Sequence, residues 1–328
     1  MTTYIALDWA QANMAIAFTT GKSSDIKLLD IPACLKELKL FLDQFKGKKK
    51  LVFEETTTAQ WLYTELRPLV DELFVCDPYR NKLLSDGAKT DKIDAKKLLQ
   101  LYKADLLKPV YHGGEVLLNV RKLVSSYNDV IQRGVRLKNQ RKAIYRAQGK
   151  SLKDEISGEN EKFILAGIEE AIRSYETERK RYVAEFEKTI KRHKILGYLR
   201  QIPGVGAIGA VKLGAIIVTA DRFKHKNNFL SYCGLVRLDK LSGGRSYGSK
   251  KPRYNREIKS VFKTAALVAI TQENCFTKYY NYLRQEKRYA DYNARHAVAR
   301  KIAEATLGVL RTKTKFEPNR LGAIRMTA

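Results

Sequence analysis

The sequence predicts an α/β domain followed by a mainly helical region, and three observations lead to this fold class. The chain has 328 residues, enough for two or three units with cores of their own. Between residues 4 and 76, short apolar runs of strand length alternate with apolar residues at helical spacing. From residue 116 onward, apolar residues recur at helical spacing over long stretches. We therefore predict three domains, at residues 1–108, 109–198 and 199–328.

The first domain is predicted to contain a mixed sheet. Strands are expected at residues 4–9, 14–19, 26–31, 50–54 and 73–76. Helical spacing is found over residues 35–45 and 61–69. Three leading strands followed by alternating helices and strands indicate an α/β domain with a mixed sheet.

The composition points to a polyanionic partner. Lys and Arg number 62 against 35 Asp and Glu, which leaves a net charge of +27 and a pI near 9.8. Because such a surplus repels itself, nucleic acid is the first partner to consider, and a generic basic surface is the alternative. The four cysteines form no CxxC pair, the histidines lack zinc spacing, and no long apolar segment or signal peptide is visible. We expect a cytoplasmic, nucleoid-associated protein.

Two acids are predicted at the ends of strands. Asp8 interrupts an apolar strand, where a carboxylate is costly unless it is paired, protonated or bound to metal. A salt bridge and a metal site are equally good interpretations of Asp8 alone. Glu54 ends a later strand, where functional groups of open α/β sheets gather. Glu55 is the alternative, and strand alternation lets only one of the two face the site.

A second pair of acids opens a predicted helix. Thr90 suits the N-cap and Asp91 the first turn, where the helix dipole favours an acid. Asp94 follows three residues later, so both carboxylates share one helical face. A divalent cation relieves their repulsion, and Mg²⁺ prefers such oxygen ligands. The ordered set of four acids is able to hold two metal ions for phosphoryl transfer.

The strings YIALDWA, LVFEETTT and KTDKIDAKKL resemble the Asp, Glu, Asp, Asp blocks of a RuvC-like, ribonuclease-H-type domain. The chain thus resembles the insertion-sequence one-hundred-and-ten family of transposases and the related Piv-type DNA invertases. The resemblance implies that Asp8, Glu54, Asp91 and Asp94 bind Mg²⁺, with Mn²⁺ as a substitute. The second block matches most loosely, since this chain delays its aromatic residue to Trp61, and the choice between Glu54 and Glu55 stays open.

The middle region is predicted to be a basic antiparallel coiled-coil arm. Residues 116–147 contain no proline and carry many cations, residues 150–159 form a polar tip, and a second helix follows with heptad-like spacing. A solvated face is the simple interpretation of any single cation, whereas the excess as a whole favours phosphate contact. In the resembled family this region belongs to the assembly that holds a guide RNA and supports dimerisation.

The last third contains two further motifs. Residues 202–206, IPGVG, resemble the turn of a helix-hairpin-helix, although such strings are common as plain turns. The block around Ser242 resembles the family's apolar helix and the Ser-Gly of its catalytic loop, which implies that Ser242 is the recombination nucleophile. Taken alone, a serine beside two glycines is usually a turn residue. Ser246 and Ser249 lie close enough to be mistaken for it.

Tyrosines follow among Lys and Arg near the end of the chain. They are able to stack on unpaired bases or to pack a helical core, and the sequence favours neither; these are Tyr279, Tyr280, Tyr282 and Tyr292. Residues 293–312 are predicted to form a final amphipathic helix.

The resemblance covers nearly the whole chain and implies a DNA transposase with a serine nucleophile, a phosphoserine intermediate, a structured guide (bridge) RNA and a dimeric or tetrameric assembly. The nearest alternative is a metal-dependent nuclease or resolvase that uses water. A Piv-like invertase without guide RNA and a non-catalytic nucleic-acid-binding scaffold are the others.

Overall fold

A computed structural model describes residues 1–21, 23, 25–78, 90–112 and 116–320. The chain forms two compact units, residues 1–114 and residues 115–328. The further boundary predicted at residue 198 stays a prediction. No helix in the described ranges combines the length and the apolar character that a membrane span requires.

The first unit contains the predicted mixed sheet. Its strands are β1 (Thr2–Trp9), β2 (Asn13–Thr20), β3 (Lys27–Pro32), β4 (Lys48–Glu54) and β5 (Glu72–Cys76). In the sheet they stand in the order β3-β2-β1-β4-β5. The pairs β1–β2 and β2–β3 are antiparallel, and β1–β4 and β4–β5 are parallel. The parallel pairs place the carboxyl ends of β1, β4 and β5 along one edge.

Helices cover both faces of this sheet. They are α1 (Leu35–Asp43), α2 (Ala59–Leu66) and α3 (Asp91–Lys103), with a short 3-10 turn at Arg67–Leu69. The first face packs Leu7 and Phe53 against side chains of α1 and α2. The second face packs Ala6 and Val52 against Ala95, Leu98 and Leu99 of α3. Each face therefore has its own helix layer, as in a three-layer α/β domain.

The direction of α3 is fixed by contacts at its two ends. Near its C-terminus, the Tyr102 hydroxyl donates a hydrogen bond of 2.6 Å to Glu72, the first residue of β5. Near its N-terminus, Lys92 Nζ lies 3.9 Å from a carboxylate oxygen of Asp30. Asp30 is the β3 residue that pairs with Ala15 of β2. Ala15 also pairs with Asp8 of β1, so α3 begins over the carboxyl end of β1.

The second unit is mainly helical, as the sequence predicts. Its helices are α4 (Val120–Ala147), α5 (Glu159–Arg192), α6 (Lys194–Arg200), α7 (Ala207–Ile217), α8 (Lys226–Tyr232), α9 (Arg256–Ala269), α10 (Cys275–Gln285) and α11 (Asp291–Thr312). Single 3-10 turns lie at Val116–Leu118, Ala220–Arg222 and Pro318–Arg320.

The two long helices of this unit pack side by side in opposite directions. The Ser126 and Tyr182 hydroxyls lie 2.6 Å apart, and Arg141 donates a 3.1 Å hydrogen bond to Glu169. Residue numbers thus rise on α4 as they fall on α5, which is the antiparallel arrangement that the sequence predicts. Whether the pair is a coiled coil stays a prediction.

A small two-stranded sheet interrupts the helices, where the sequence predicts a loop. Strand β6 (Leu238–Ser242) pairs with β7 (Arg245–Lys250) in an antiparallel hairpin. The loop that the family resemblance implies is here the turn of a hairpin, in which Gly243 and Gly244 have φ values of 55° and 77°. Two successive residues with positive φ form the type I′ turn that best joins two paired strands.

Candidate active site

Asp8 and Glu54 lie on the same face of the sheet, at the same edge. Asp8 pairs with Ala15, and Glu54 pairs with Cys76. Ala15 and Cys76 both belong to the core beneath α3, and paired residues share a face. Both carboxylates therefore stand on the α3 side, at the carboxyl ends of adjacent parallel strands. Open α/β sheets place functional groups at this position.

The side chain of Glu55 lies on the opposite side of the sheet from that of Glu54. Its carboxylate forms a hydrogen bond with Nε2 of His112, a buried side chain. Nδ1 of His112 lies 2.9 Å from Oε1 of Gln60 on α2, and its ring lies 5.3 Å from that of Tyr63. Glu55 is therefore held on the α2 side, away from the face of Asp8 and Glu54.

Asp91 and Asp94 occupy the first turn of α3, as the sequence predicts. The Thr90 side chain accepts a 3.3 Å hydrogen bond from the Ile93 backbone N–H and caps the helix. Asp91 is exposed, whereas Asp94 is half-buried beside the fully buried Ala95. Asp94 lies one helical turn before Leu98 and Asp91 lies two turns before it, on the helical face that packs on the sheet.

These four acids form what we call the acidic edge, which comprises Asp8, Glu54, Asp91 and Asp94. Two come from strand ends and two from the helix that begins over those ends. Within the described ranges, no three or more His, Cys, Asp or Glu side chains are gathered closely enough to hold a metal ion. The donor set nevertheless fits a hard divalent cation, since all four donors are carboxylates on one side of one edge.

Sequence reasoning missed two residues of this neighbourhood. Asp30 of β3 lies on the same face as Asp8, two strands away, and forms an ion pair with Lys92. Only the strand register shows this, because β3 was predicted without a register. His112 was missed as well, since 57 residues separate it from Glu55.

Ser242 is the last residue of β6 and stands beside the two-glycine turn. It pairs with Arg245 across the hairpin. Every residue of β6 and β7 is exposed, and the side chains of Leu241 and Tyr247 have relative accessibilities of 65% and 66%. Among the described residues, none forms a hydrogen bond with the Ser242 hydroxyl. Ser246 and Ser249 lie on β7 and are also exposed.

The IPGVG motif forms the connection between α6 and α7. Gly204 has a φ of 84°, and a Cβ built there would stand 2.0 Å from the carbonyl oxygen of Ala265 on α9. Glycine is therefore required both by the backbone conformation and by the close approach of α9. This is a complete structural explanation of the motif, and phosphate contact at the start of α7 stays a prediction.

The tyrosines divide between the two interpretations that the sequence left open. Tyr279, Tyr280 and Tyr282 pack against a small core formed by Leu283, Ala294 and Ala297. Tyr292 is instead exposed, with a relative accessibility of 63%. Three of the four rings are thus partly buried against a core, and Tyr292 is the exposed one.

The cations of α4 also fall into two groups, those paired with carboxylates of α5 and those that are exposed. Three of them form ion pairs with carboxylates of α5: Arg133 with Glu178, Lys138 with Glu176, and Arg141 with Glu169. Lys122, Arg136, Lys142 and Arg146 are exposed and have no carboxylate partner among the described residues.

Two family models match the chain. A model described as transposase, of the DEDD type found in IS110 elements, matches residues 5–146. A second model, described as the transposase IS116/IS110/IS902 family, matches residues 197–281. The chain belongs to the IS110 family of transposases. No curated protein shows a significant match to it.

Membership sets the reaction class. An IS110-family transposase binds DNA and carries out phosphoryl transfer during transposition, so the chain is an enzyme of DNA recombination. The DEDD type of its first model indicates dependence on a divalent metal ion. The first matched region contains all four acids of the acidic edge, and the second contains Ser242.

Proposed function

We propose that this transposase cuts and rejoins DNA with Ser242 as its nucleophile and with Asp8, Glu54, Asp91 and Asp94 as ligands of Mg²⁺. One observation carries the proposal. The two strand-end carboxylates stand on the face of the sheet that α3 covers, and α3 begins over the carboxyl edge with the other two acids in its first turn. Carboxylate oxygens are the donors that a hard divalent cation prefers, so this set of acids supports a metal site.

In this proposal the four acids bind and orient Mg²⁺, because carboxylate oxygens are ligands that suit a hard cation. When bound, Mg²⁺ neutralises charge on the phosphate and stabilises the oxygens that attack and leave. The register across β1 and β4 keeps Asp8 and Glu54 on one face, and the Thr90 cap holds Asp91 and Asp94 at the start of α3. Mn²⁺, which accepts the same ligands, is expected to substitute.

Ser242 forms the covalent link to DNA. Its Oγ attacks phosphorus, so an Oγ–P bond forms while the bond from phosphorus to the 3′ oxygen breaks. The serine hydroxyl gives up its proton, and the departing 3′ oxygen ends as a free 3′ hydroxyl. Rejoining is the reverse step with the 3′ hydroxyl of another strand.

The proton of Ser242 requires an acceptor that its own hairpin does not supply. None of the described residues hydrogen-bonds the hydroxyl, and a serine needs a base or a metal to become nucleophilic. We propose that the acidic edge of one subunit serves Ser242 of another, within a homodimer or homotetramer. A test is complementation, in which a subunit with Ser242→Ala and one with Asp94→Asn together restore recombination.

A structured guide RNA is the second partner in this proposal. The net charge of +27 fits RNA as well as DNA, and α4 presents the exposed cations Lys122, Arg136, Lys142 and Arg146, which have no described carboxylate partner. The experiment is to purify the protein with its own element and to sequence the bound RNA. Unchanged recombination after that RNA is removed would favour an invertase that works without a guide.

The serine mechanism is tested by Ser242→Ala, with Ser246→Ala and Ser249→Ala as matched controls on the same hairpin. We expect Ser242→Ala to lower recombination by about a millionfold, the cost of losing a nucleophile. Denatured wild-type reactions should contain a protein–DNA adduct at Ser242. If Ser242→Ala still cleaves DNA and no adduct forms, a nuclease or resolvase that uses water replaces the proposal.

A further inference from the structure

One hollow of the second unit lies between α9, α11 and the two ends of the serine hairpin. It has a volume of about 600 Å³. Two neighbouring hollows of about 430 and 170 Å³ share His296 with it. Six side chains that line the 600 Å³ hollow define what we call the basic cleft: Arg237, Lys251, Lys259, Tyr292, His296 and Arg300.

The basic cleft carries strong positive charge. Four of its six side chains are permanent cations, and none of the described residues lining the three hollows has a carboxylate. Arg237, Lys251, Lys259 and Arg300 form no ion pair with any described carboxylate. Elsewhere in this unit, cations such as Arg133 and Lys212 do find such partners. A concave surface of one sign concentrates counter-ions, here anions.

His296 responds to this charge. Its side chain is half-buried, and its pKa is lowered because burial disfavours the charged form and because Arg300, Lys259 and Lys263 repel it. An anion in the cleft would offset that repulsion. Arg300 belongs to α11, and Lys259 and Lys263 to α9, so the positive potential comes from both walls of the cleft.

Tyr292 adds an aromatic face to the cations. Its ring is exposed, its centroid lies 6.3 Å from that of His296, and Lys263 Nζ lies 5.9 Å from the centroid. An exposed aromatic ring beside several cations is the combination that binds single-stranded nucleic acid, since bases stack on the ring while cations meet the phosphates. A duplex offers no free base face to such a ring.

The position of the cleft links it to Ser242. Arg237 directly precedes β6, and Lys251 directly follows β7, so both ends of the hairpin lie in the cleft wall. Ser242 stands five residues beyond Arg237, about 17 Å along an extended strand. A nucleic-acid strand bound in the cleft therefore lies near the base of the element that carries the serine.

We propose that the basic cleft binds an unpaired segment of a nucleic-acid strand, with Lys259 and Arg300 contacting its phosphates and Tyr292 stacking on a base. This inference rests on the proposed function, because it places the strand beside the hairpin that carries Ser242. The shared chemistry is a phosphodiester chain with an accessible base. DNA of the element and RNA are the two possible sources.

The experiment measures binding of the full-length protein to labelled oligonucleotides of one sequence, as single-stranded DNA, duplex DNA and single-stranded RNA. Tyr292→Ala is expected to weaken single-strand binding about tenfold. Tyr292→Phe, which keeps the ring, should restore most of that affinity. The double variant Lys259→Gln with Arg300→Gln should reduce the salt dependence of log K for a single strand by about 0.7 for each phosphate that the variant no longer neutralises.

The matched control removes two exposed cations of the same unit that line none of these hollows, Lys224→Gln with Lys278→Gln. It should bind single strands as the wild type does. If the cleft variants and this control lose affinity equally, the cleft inference is overturned while the proposed function stands. If the wild type binds no nucleic acid at all, the proposed function fails first. A loss confined to DNA or to RNA identifies which strand occupies the cleft.

Discussion

The acidic edge of the first unit and the basic cleft of the second are opposite solutions to the handling of a phosphate. The acidic edge gathers four carboxylates at one side of a sheet, and a phosphate approaching it is repelled unless a cation lies between. The basic cleft gathers four cations around an exposed ring and attracts a phosphate directly. The first arrangement suits chemistry at phosphorus, and the second suits holding the strand.

The comparison teaches that charge of one sign, concentrated on one surface, identifies both kinds of site by the cation or the phosphate that each attracts. At the amino end of the same sheet, Glu72 is held by Lys50, 2.6 Å away, and by the Tyr102 hydroxyl. The hydrogen bonds from Lys50 and Tyr102 lower the pKa of Glu72. The carboxylate of Glu72 therefore has its partners within the first unit and needs no bound cation.

The largest test of the comparison is Asp94→Asn. We expect it to lower recombination about a thousandfold, the range seen when a group that stabilises charge in the transition state is removed. It should also weaken Mg²⁺ binding, measured by calorimetry with the metal alone. Binding of single-stranded DNA, which we assign to the basic cleft, should persist.

The matched control for that test is Asp105→Asn beyond the other end of α3. Asp105 is exposed and has a φ of 55°, a conformation that asparagine tolerates well. It should recombine as the wild type does. Equal activity of both variants would remove Asp94 from the acidic edge.

A smaller test compares two adjacent acids, Glu54→Gln and Glu55→Gln. Glu54→Gln should lower recombination about a hundredfold. Glu55→Gln should keep recombination and lower the free energy of unfolding by about 1 kcal/mol, because His112 loses a charged partner. Urea denaturation and a recombination assay separate the two effects. The reverse order would make Glu55 the functional acid.

The smallest expected effect is the pH dependence that His296 confers. Above pH 6.5 the side chain is neutral in both the folded and the unfolded chain and contributes nothing. Below 6.5 the unfolded chain binds the proton more readily, since the pKa is lowered in the fold by burial, Arg300, Lys259 and Lys263. Stability is therefore lost as the pH falls, by at most about 1.4 kcal/mol per pH unit.

His296→Gln should remove that contribution, and His193→Gln should keep it. Urea denaturation between pH 5 and 8 measures the free energy of unfolding for both. A bound single-stranded oligonucleotide should reduce the loss in the wild type, because its phosphates offset the cations around His296. No change on adding the oligonucleotide would separate His296 from the cleft.

Much of the first unit was predictable because its signals are local. Asp8 stands inside an apolar run, and Thr90 precedes a helix with its acids in the first turn, so neighbours in sequence are enough. The five strands and α3 agree with those predictions. The choice between Glu54 and Glu55 required the strand register and the partner His112, neither of which local sequence contains.

The basic cleft was not predictable because its parts are distant along the chain. Arg237, Lys259 and Arg300 meet only after α8, α9 and α11 have packed together. The hairpin was missed for another reason. Glycine permits both an irregular loop and a type I′ turn, and the exposed strands lack the apolar alternation that marks a buried strand.

That exposed hairpin has a consequence for how the protein tolerates change. Because no side chain of β6 or β7 belongs to a core, substitutions there cost little folding stability. Apart from Gly243, Gly244 and Gly248, which have positive φ values, the residues of the hairpin can therefore change without loss of the native state. Folding of the helical unit therefore does not fix how far the hairpin carries Ser242. Selection or laboratory evolution can change the target geometry through this segment alone.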